Sequence, residues 1–354
     1  MASTSVIRTL VNNNQIVDNR PVAVTATVSY DEPGKRVGQL LLPRVTNGSG
    51  WGNLVVPVGC VRGGEGPTAL VLGGVHGDEP EGQVAALNLL RRLRPEEVAG
   101  RVIVAPCLSV EASRAYTRLW PSGANLNRSF PGHPGGTLDE QLAHYVSTEL
   151  IPRADIVVDI HSGGRSGLCL PWSEMHWVEE PQQRRAMVEG MLAWGSEWCV
   201  VYIDVAGAGL LVGEAERQGK VVVSTELGGG GHVTAAIHRL ARSGLENVLR
   251  TFGVLRGAAV SRERPARILM ATDLGDYVLA PESGLFETPV DLGAEVAAGE
   301  AVGRIHSLER PEREPVVVTA ETSGIVCVVR AIATTQQGDN VVVVGREIQQ
   351  EALL

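Results

Sequence analysis

The stretch Gly73-Gly74-Val75-His76-Gly77-Asp78-Glu79-Pro80 holds an imidazole and a carboxylate three residues apart, a spacing that can chelate one divalent ion. Pro80 is a good first residue for a helix, because its missing N–H needs no partner there, and it pushes Glu79 out of helical geometry. His76 and Glu79 are therefore expected in a turn between a strand and a helix, where open α/β sheets bind ligands. A third ligand is expected from His161 in Asp159-Ile160-His161-Ser162-Gly163-Gly164, again at the end of an apolar run. Two histidines and one carboxylate leave a coordination position open for water, as in catalytic zinc sites, and one zinc ion per chain is the expectation. Asp159 lies close enough in sequence to partner His161, with its direction along the strand left open.

Water at such a site needs a general base. Glu226, in Ser224-Thr225-Glu226-Leu227 ahead of four consecutive glycines, follows an apolar run and suits that role. Arg118 is a candidate to stabilise an oxyanion, and Asn127 with Arg128, in Asn125-Leu126-Asn127-Arg128-Ser129-Phe130-Pro131-Gly132, suits capture of a substrate carboxylate. Each piece alone has an ordinary reading: a structural histidine, a solvated loop arginine, a flexible glycine connection. Glu81 is expected to be only a first-turn carboxylate favoured by the helix dipole. The coincidence that His, Glu, His and Glu all follow apolar strands tips the balance towards metal-assisted hydrolysis of an amide.

Positioning these groups requires alternating strands and helices. Apolar runs at 37–45 and 54–61 flank the turn cluster Asn47-Gly48-Ser49-Gly50 and read as β structure. Strands are expected at 69–72, 102–105, 155–160, 199–204 and 220–225. Helices are expected at 80–93, 138–151, 182–194 and 234–252, the first and last with apolar residues at i, i+3, i+4 and i+7. This alternation predicts an α/β fold with a central mixed or largely parallel sheet flanked by helices. From Arg264 onward there is no helical period, only short Val/Ile runs with Gly284, Gly293, Gly299, Gly303 and Gly324 at expected turns. Residues 1–260 are thus expected to form the hydrolase domain, with a β-rich N-terminal segment. Residues 261–354 are expected to form an all-β barrel or sandwich, roughly 90 residues long and large enough to be a separate unit.

Composition narrows the partners. The 354 residues carry a net charge of −9, which argues against nucleic acid as the partner. No apolar run is long enough to span a membrane, and the first residues lack the basic start and apolar stretch of a signal peptide. The five cysteines are scattered with no CxxC pair, so reduced thiols and a cytoplasmic location are expected. A homo-oligomer is compatible with all of this.

The combined motifs resemble the succinylglutamate desuccinylase/aspartoacylase family, relatives of the zinc carboxypeptidases. The resemblance runs through His76-Gly77-Asp78-Glu79, Thr117-Arg118, Asn125-Leu126-Asn127-Arg128, His161 and Thr225-Glu226, and covers most of residues 35–350 in order. It implies zinc held by His76, Glu79 and His161, Glu226 as the catalytic carboxylate, Arg118 on the carbonyl oxygen, and Asn127 and Arg128 on the substrate carboxylate. The longer strings around Asn127, His161 and Glu226 resemble the branch of the family that serves ectoine degradation. That implies hydrolysis of N-α-acetyl-L-2,4-diaminobutyrate to acetate and diaminobutyrate. A cationic substrate tail would want an acidic partner, with Asp204 the candidate and Glu214 and Glu216 not separable from it. An acyl-aspartate or succinyl-glutamate would instead want an additional cation, such as Arg165 or Arg217.

The C-terminal segment resembles a biotinyl/lipoyl-like barrel, but no lysine follows Lys220, so a carrier role fails and a cap over the cleft is the better expectation. A metallocarboxypeptidase, a non-catalytic zinc-binding interaction protein and a non-haem iron oxygenase share parts of the pattern. The general-base candidate and the α/β setting favour hydrolysis.

Overall fold

The structure, a computed structural model, describes residues 24–203, 207–262 and 264–353. Three largely buried strands, each with an apolar run, Thr68–Gly73, Ile156–His161 and Val221–Glu226, lie side by side and parallel at the centre of a large mixed sheet. The apolar runs follow from their place: helices cover both faces, so most positions on either face are apolar. Arg101–Ala105 continues the parallel order on one side, and the long hairpin Gly34–Thr46/Ser49–Arg62 closes that flank in antiparallel pairing. On the other side come Trp172–His176, antiparallel to Val221–Glu226, and then Trp198–Tyr202. The α/β class expected from the alternation is the one observed.

Two apolar cores sit on the two faces of this sheet. On one, Pro80–Arg92 and Ala235–Thr251 bury Ala86, Leu89, Ala241, Leu245 and Val248 against the strands. On the other, Leu138–Tyr145 and Leu211–Arg217 pack over Leu70, Leu72 and Val222. Two short helices, Val110–Ala115 and Leu211–Arg217, and the strand Trp172–His176 carry too few turns or too many polar residues to show a period.

The last quarter of the chain is β-rich, but it is joined to the large sheet by hydrogen bonds. Arg267–Ala271 pairs with Trp198–Tyr202, Asn340–Ile348 pairs with Arg267–Ala271, and Gly324–Arg330 follows. A second sheet of four strands packs over this extension around Phe286, Val302, Ile305 and Val326. Here the glycine reading is corrected. Gly293 and Gly299 occupy turns with positive φ, whereas Gly303 lies inside a strand and Gly284 and Gly324 are the first residues of theirs. In those strands an added Cβ would strike a neighbouring backbone carbonyl or the Phe286 ring.

Close approach also fixes the first helix. Gly82 brings Pro80–Arg92 against the strand carrying His161, and a Cβ there would collide with the Ile160 carbonyl oxygen. Replacing Gly82 with alanine is expected to cost about 1–3 kcal/mol of stability, the usual penalty for overpacking. Denaturant unfolding measures it, and an unchanged midpoint would show that the helix can move away freely.

Candidate active site

The carboxyl ends of the three central strands meet at one rim. His161 is the last residue of its strand and Glu226 the last of the next, and the two are paired in register. His76 and Glu79 lie in the turn between Thr68–Gly73 and Pro80–Arg92, with Pro80 as first helical residue and Glu79 outside helical geometry. His76, Glu79 and His161 are all buried, and one ligand atom of each lies within 4.8 Å of the others.

Glu79 is the hub. Its Oε1 faces His76 Nδ1 at 2.7 Å and its Oε2 faces His161 Nδ1 at 2.8 Å. Arg118 donates to Oε1 at 2.9 Å and the Ser162 backbone N–H to Oε2 at 3.3 Å. Burial raises the Glu79 carboxyl, but the two imidazoles outweigh it and hold it well below the usual range. Burial lowers His76, whereas at His161 the Asp159 and Glu79 carboxylates overcome burial and push the ring well up. The far nitrogen of His161, Nε2, faces Asp159 Oδ2 at 2.9 Å. Residues 159 and 161 project from the same side of the strand, so its alternation favours this pairing.

The donor set fits a divalent metal. Two imidazoles and a carboxylate converge in a buried place, and His76 Nε2 is buried with no hydrogen-bond partner. Asp159 fixes the orientation of His161 as carboxylates do behind metal-bound histidines.

Glu81 does more than face the helix dipole, a correction to the sequence reading. It is buried, accepts a 2.6 Å hydrogen bond from Ser162 Oγ, and burial pushes its carboxyl up to about 7. It ties the first helix to the loop after His161. The glycines after Glu226 are a built loop: Gly228 to Gly231 all have positive φ, and they bond back to Gly163, Gly164, Gly167 and Cys169.

The rim opens into a cavity of about 470 Å³. His76, Arg118, Asn127, Arg128, His161 and Glu226 all line it. Asn127 sits in the short turn Leu126–Arg128, and its Oδ1 accepts from Leu211 N–H at 2.9 Å, which leaves the amide NH2 as the donor the cavity can use. Burial, with Glu79 and Glu174 nearby, pushes the Glu226 carboxyl well up, and its Oε2 is buried without a partner. Asp204 lies outside the described residues. Glu214 is bound by Arg217 and Gln218, and Glu216 by His176; neither lines the cavity. Nor do Arg165, stacked over Tyr116, and Arg217.

Sequence reasoning missed part of the wall. Tyr277, Cys327, Val328, Arg330, Asn340 and Val343 from the C-terminal segment line the same cavity, and Arg330 is engaged by Asp339 at 2.9 Å. Glu174, also in the wall, gives no signal in the sequence because its strand is short and mixed in polarity.

This arrangement defines a class: the chain belongs to the succinylglutamate desuccinylase/aspartoacylase family, whose catalytic-domain model matches residues 65–252. The N-alpha-acetyl-L-2,4-diaminobutyric acid deacetylase of Halomonas elongata is 38% identical over 331 residues, covering 93% of this chain and 97% of that protein. The product-bound structure of the ectoine utilization protein EutE (DoeB) from Ruegeria pomeroyi superposes with a TM-score of 0.88 at 38% identity, covering 92% of this chain and 99% of that one. A succinylglutamate desuccinylase/aspartoacylase from Rhodobacter sphaeroides gives 0.88 at 37% identity, over 92% of this chain and 99% of its own. Among the described residues no helix is long and apolar enough to cross a membrane.

Replacing Asp159 with asparagine is expected to weaken divalent-metal affinity by about 10- to 100-fold, the usual effect of removing such a partner. Competition against a chromophoric chelator reads this directly, and an unchanged affinity would remove Asp159 from the metal's support.

Proposed function

We propose that the protein is a zinc-dependent deacylase that hydrolyses N-α-acetyl-L-2,4-diaminobutyrate to acetate and L-2,4-diaminobutyrate. The observation that carries this reading is the convergence of the His76–Glu79–His161 cluster, Glu226, Arg118 and the Asn127–Arg128 turn on one cavity. The Halomonas relative, named for that deacetylation, supports the substrate.

Zinc, when held by His76, Glu79 and His161, would act as a Lewis acid on the amide carbonyl and make water more acidic. Glu226 takes a proton from the attacking water and passes it to the leaving nitrogen, so the amine departs neutral. Its raised carboxyl affinity for protons suits both halves of that transfer. Arg118 swings its guanidinium from Glu79 towards the oxyanion that develops on the carbonyl oxygen. Arg128 and the Asn127 amide hold the substrate α-carboxylate. Residues 1–260 carry this chemistry, and residues 261–354 act as the cap that closes the cavity against larger substrates.

An acyl-dicarboxylate substrate draws support from Arg330, the third guanidinium in the wall, but Asp339 already occupies that charge. The test is acetate release from N-α-acetyl-diaminobutyrate beside N-acetyl-aspartate, N-succinyl-glutamate and a dipeptide. Preference for the first supports the reading; preference for another keeps the metal chemistry and discards the substrate.

Glu226→Gln is expected to retain metal while lowering turnover by at least ~10²-fold, the scale of lost general-base catalysis. Full turnover would take Glu226 out of that role. His161→Ala is expected to lose both metal and activity, and an unchanged metal content would overturn its assignment as a ligand.

A further inference from the structure

The cavity holds one carboxylate that the mechanism above does not use. Glu174 lies on Trp172–His176, directly opposite Ser224 on the antiparallel neighbour and diagonal to Glu226. Its side chain lines the cavity although the residue is only 5% exposed. Trp172 Nε1 donates to one oxygen at 2.6 Å and Ser224 Oγ to the other at 3.1 Å. These two bonds fix the carboxylate's direction without neutralising it, since both donors are uncharged.

Several other buried acids have cationic partners, and Glu81 and Asp139, which are met by serine hydroxyls, lie outside the cavity lining. Glu79 has Arg118 and two imidazoles, Glu214 has Arg217, and Asp276 has Arg346. Among the described residues no lysine or arginine pairs with Glu174. A carboxylate at this depth without a counter-charge is costly, and burial pushes it towards its neutral form. The missing charge has one way in, through the cavity.

We infer that Glu174 is the recognition group for a short alkylammonium side chain on the amino-acid portion of the substrate. The inference rests on the deacylase reading above and deepens it. Diagonal neighbours on paired strands stand roughly 7–8 Å apart, so Glu174 lies one residue pair deeper than the carboxylate that serves the scissile nitrogen. A short arm leaving the α-carbon near Glu226 reaches that depth. The ammonium would displace no existing partner, whereas Glu214 and Glu216 would each have to surrender one. Glu174 thus selects for a cation and against a neutral or acidic side chain.

The experiment compares metal-loaded wild-type protein with E174Q, E174D and D204N. Substrates are N-α-acetyl-L-2,4-diaminobutyrate and its neutral counterpart N-α-acetyl-L-2-aminobutyrate. E174Q is expected to lose about 10²-fold in kcat/KM on the ammonium substrate, mostly through KM, and to stay within about threefold on the neutral one. Metal content and melting temperature should match wild type, and E174D should recover part of the loss. Equal losses on both substrates would make Glu174 a structural residue and overturn the inference. A selective loss in D204N with E174Q unaffected would also overturn it, moving recognition to Asp204. A wild-type enzyme inactive on every acyl amino acid would instead sink the deacylase reading, and this inference with it. If E174Q does not fold, calorimetric titration of E174D beside wild type with L-2,4-diaminobutyrate and L-2-aminobutyrate decides: weaker binding of the first alone supports the inference, unchanged binding overturns it.

Discussion

A carboxylate fully removed from solvent must be met by positive or proton-donating groups, and the architecture is organised around that demand at Glu79. Two imidazoles, a guanidinium and a backbone N–H reach it from three separate parts of the chain. Each is delivered by a different device. Pro80 starts the helix so that Glu79 stays in the turn, and the end of a buried strand presents His161. Gly82 lets the helix come close enough for Glu81 to grip Ser162, which steadies the loop behind His161.

The cavity around that cluster divides its charges by depth and by segment. Guanidinium groups come from the loops at 118 and 128 and from the C-terminal strand bearing Arg330, whereas the acids rise from the sheet itself. This places the acids in the lower-dielectric floor, where Glu174 helps to raise the proton affinity of Glu226. Loops can move their cations; the sheet cannot move its carboxylates. The cavity's carboxylates Glu174 and Glu226 thus stand on strands, whereas Arg118 and Arg128 stand in the connections between strands.

Much of this was legible in the sequence because it depends on local rules. The apolar strands, the helix at Pro80 and the order His76, Glu79, His161, Glu226 follow from short-range pattern and turn chemistry. Asp159's approach to His161 follows too once strand alternation is applied, since positions 159 and 161 share a side. Glu174 was hidden, because its meaning comes from an antiparallel partner fifty positions away and from a strand with no clean alternation. The C-terminal wall was expected only as a cap in outline. Its pairing of Arg267–Ala271 with Trp198–Tyr202 is a long-range choice that no local pattern encodes. Glycine misled in the other direction: Gly284, Gly303 and Gly324 mark tight packing between strands, a use that looks the same in sequence as a turn.

The pairing of Arg267–Ala271 and Asn340–Ile348 with the older part of the sheet also sets an order of events in synthesis. Chains emerge from the ribosome N-terminal end first, and domains fold as units while they do. His76, Glu79, His161 and Glu226 lie within the first 226 residues, whereas Cys327, Val328, Asn340 and Val343 emerge about a hundred residues later. A nascent chain therefore gathers the His76–Glu79–His161 cluster about a hundred residues before the C-terminal wall of the cavity exists. The capacity to hold an ion and the capacity to choose a substrate are acquired at different moments in the life of the molecule.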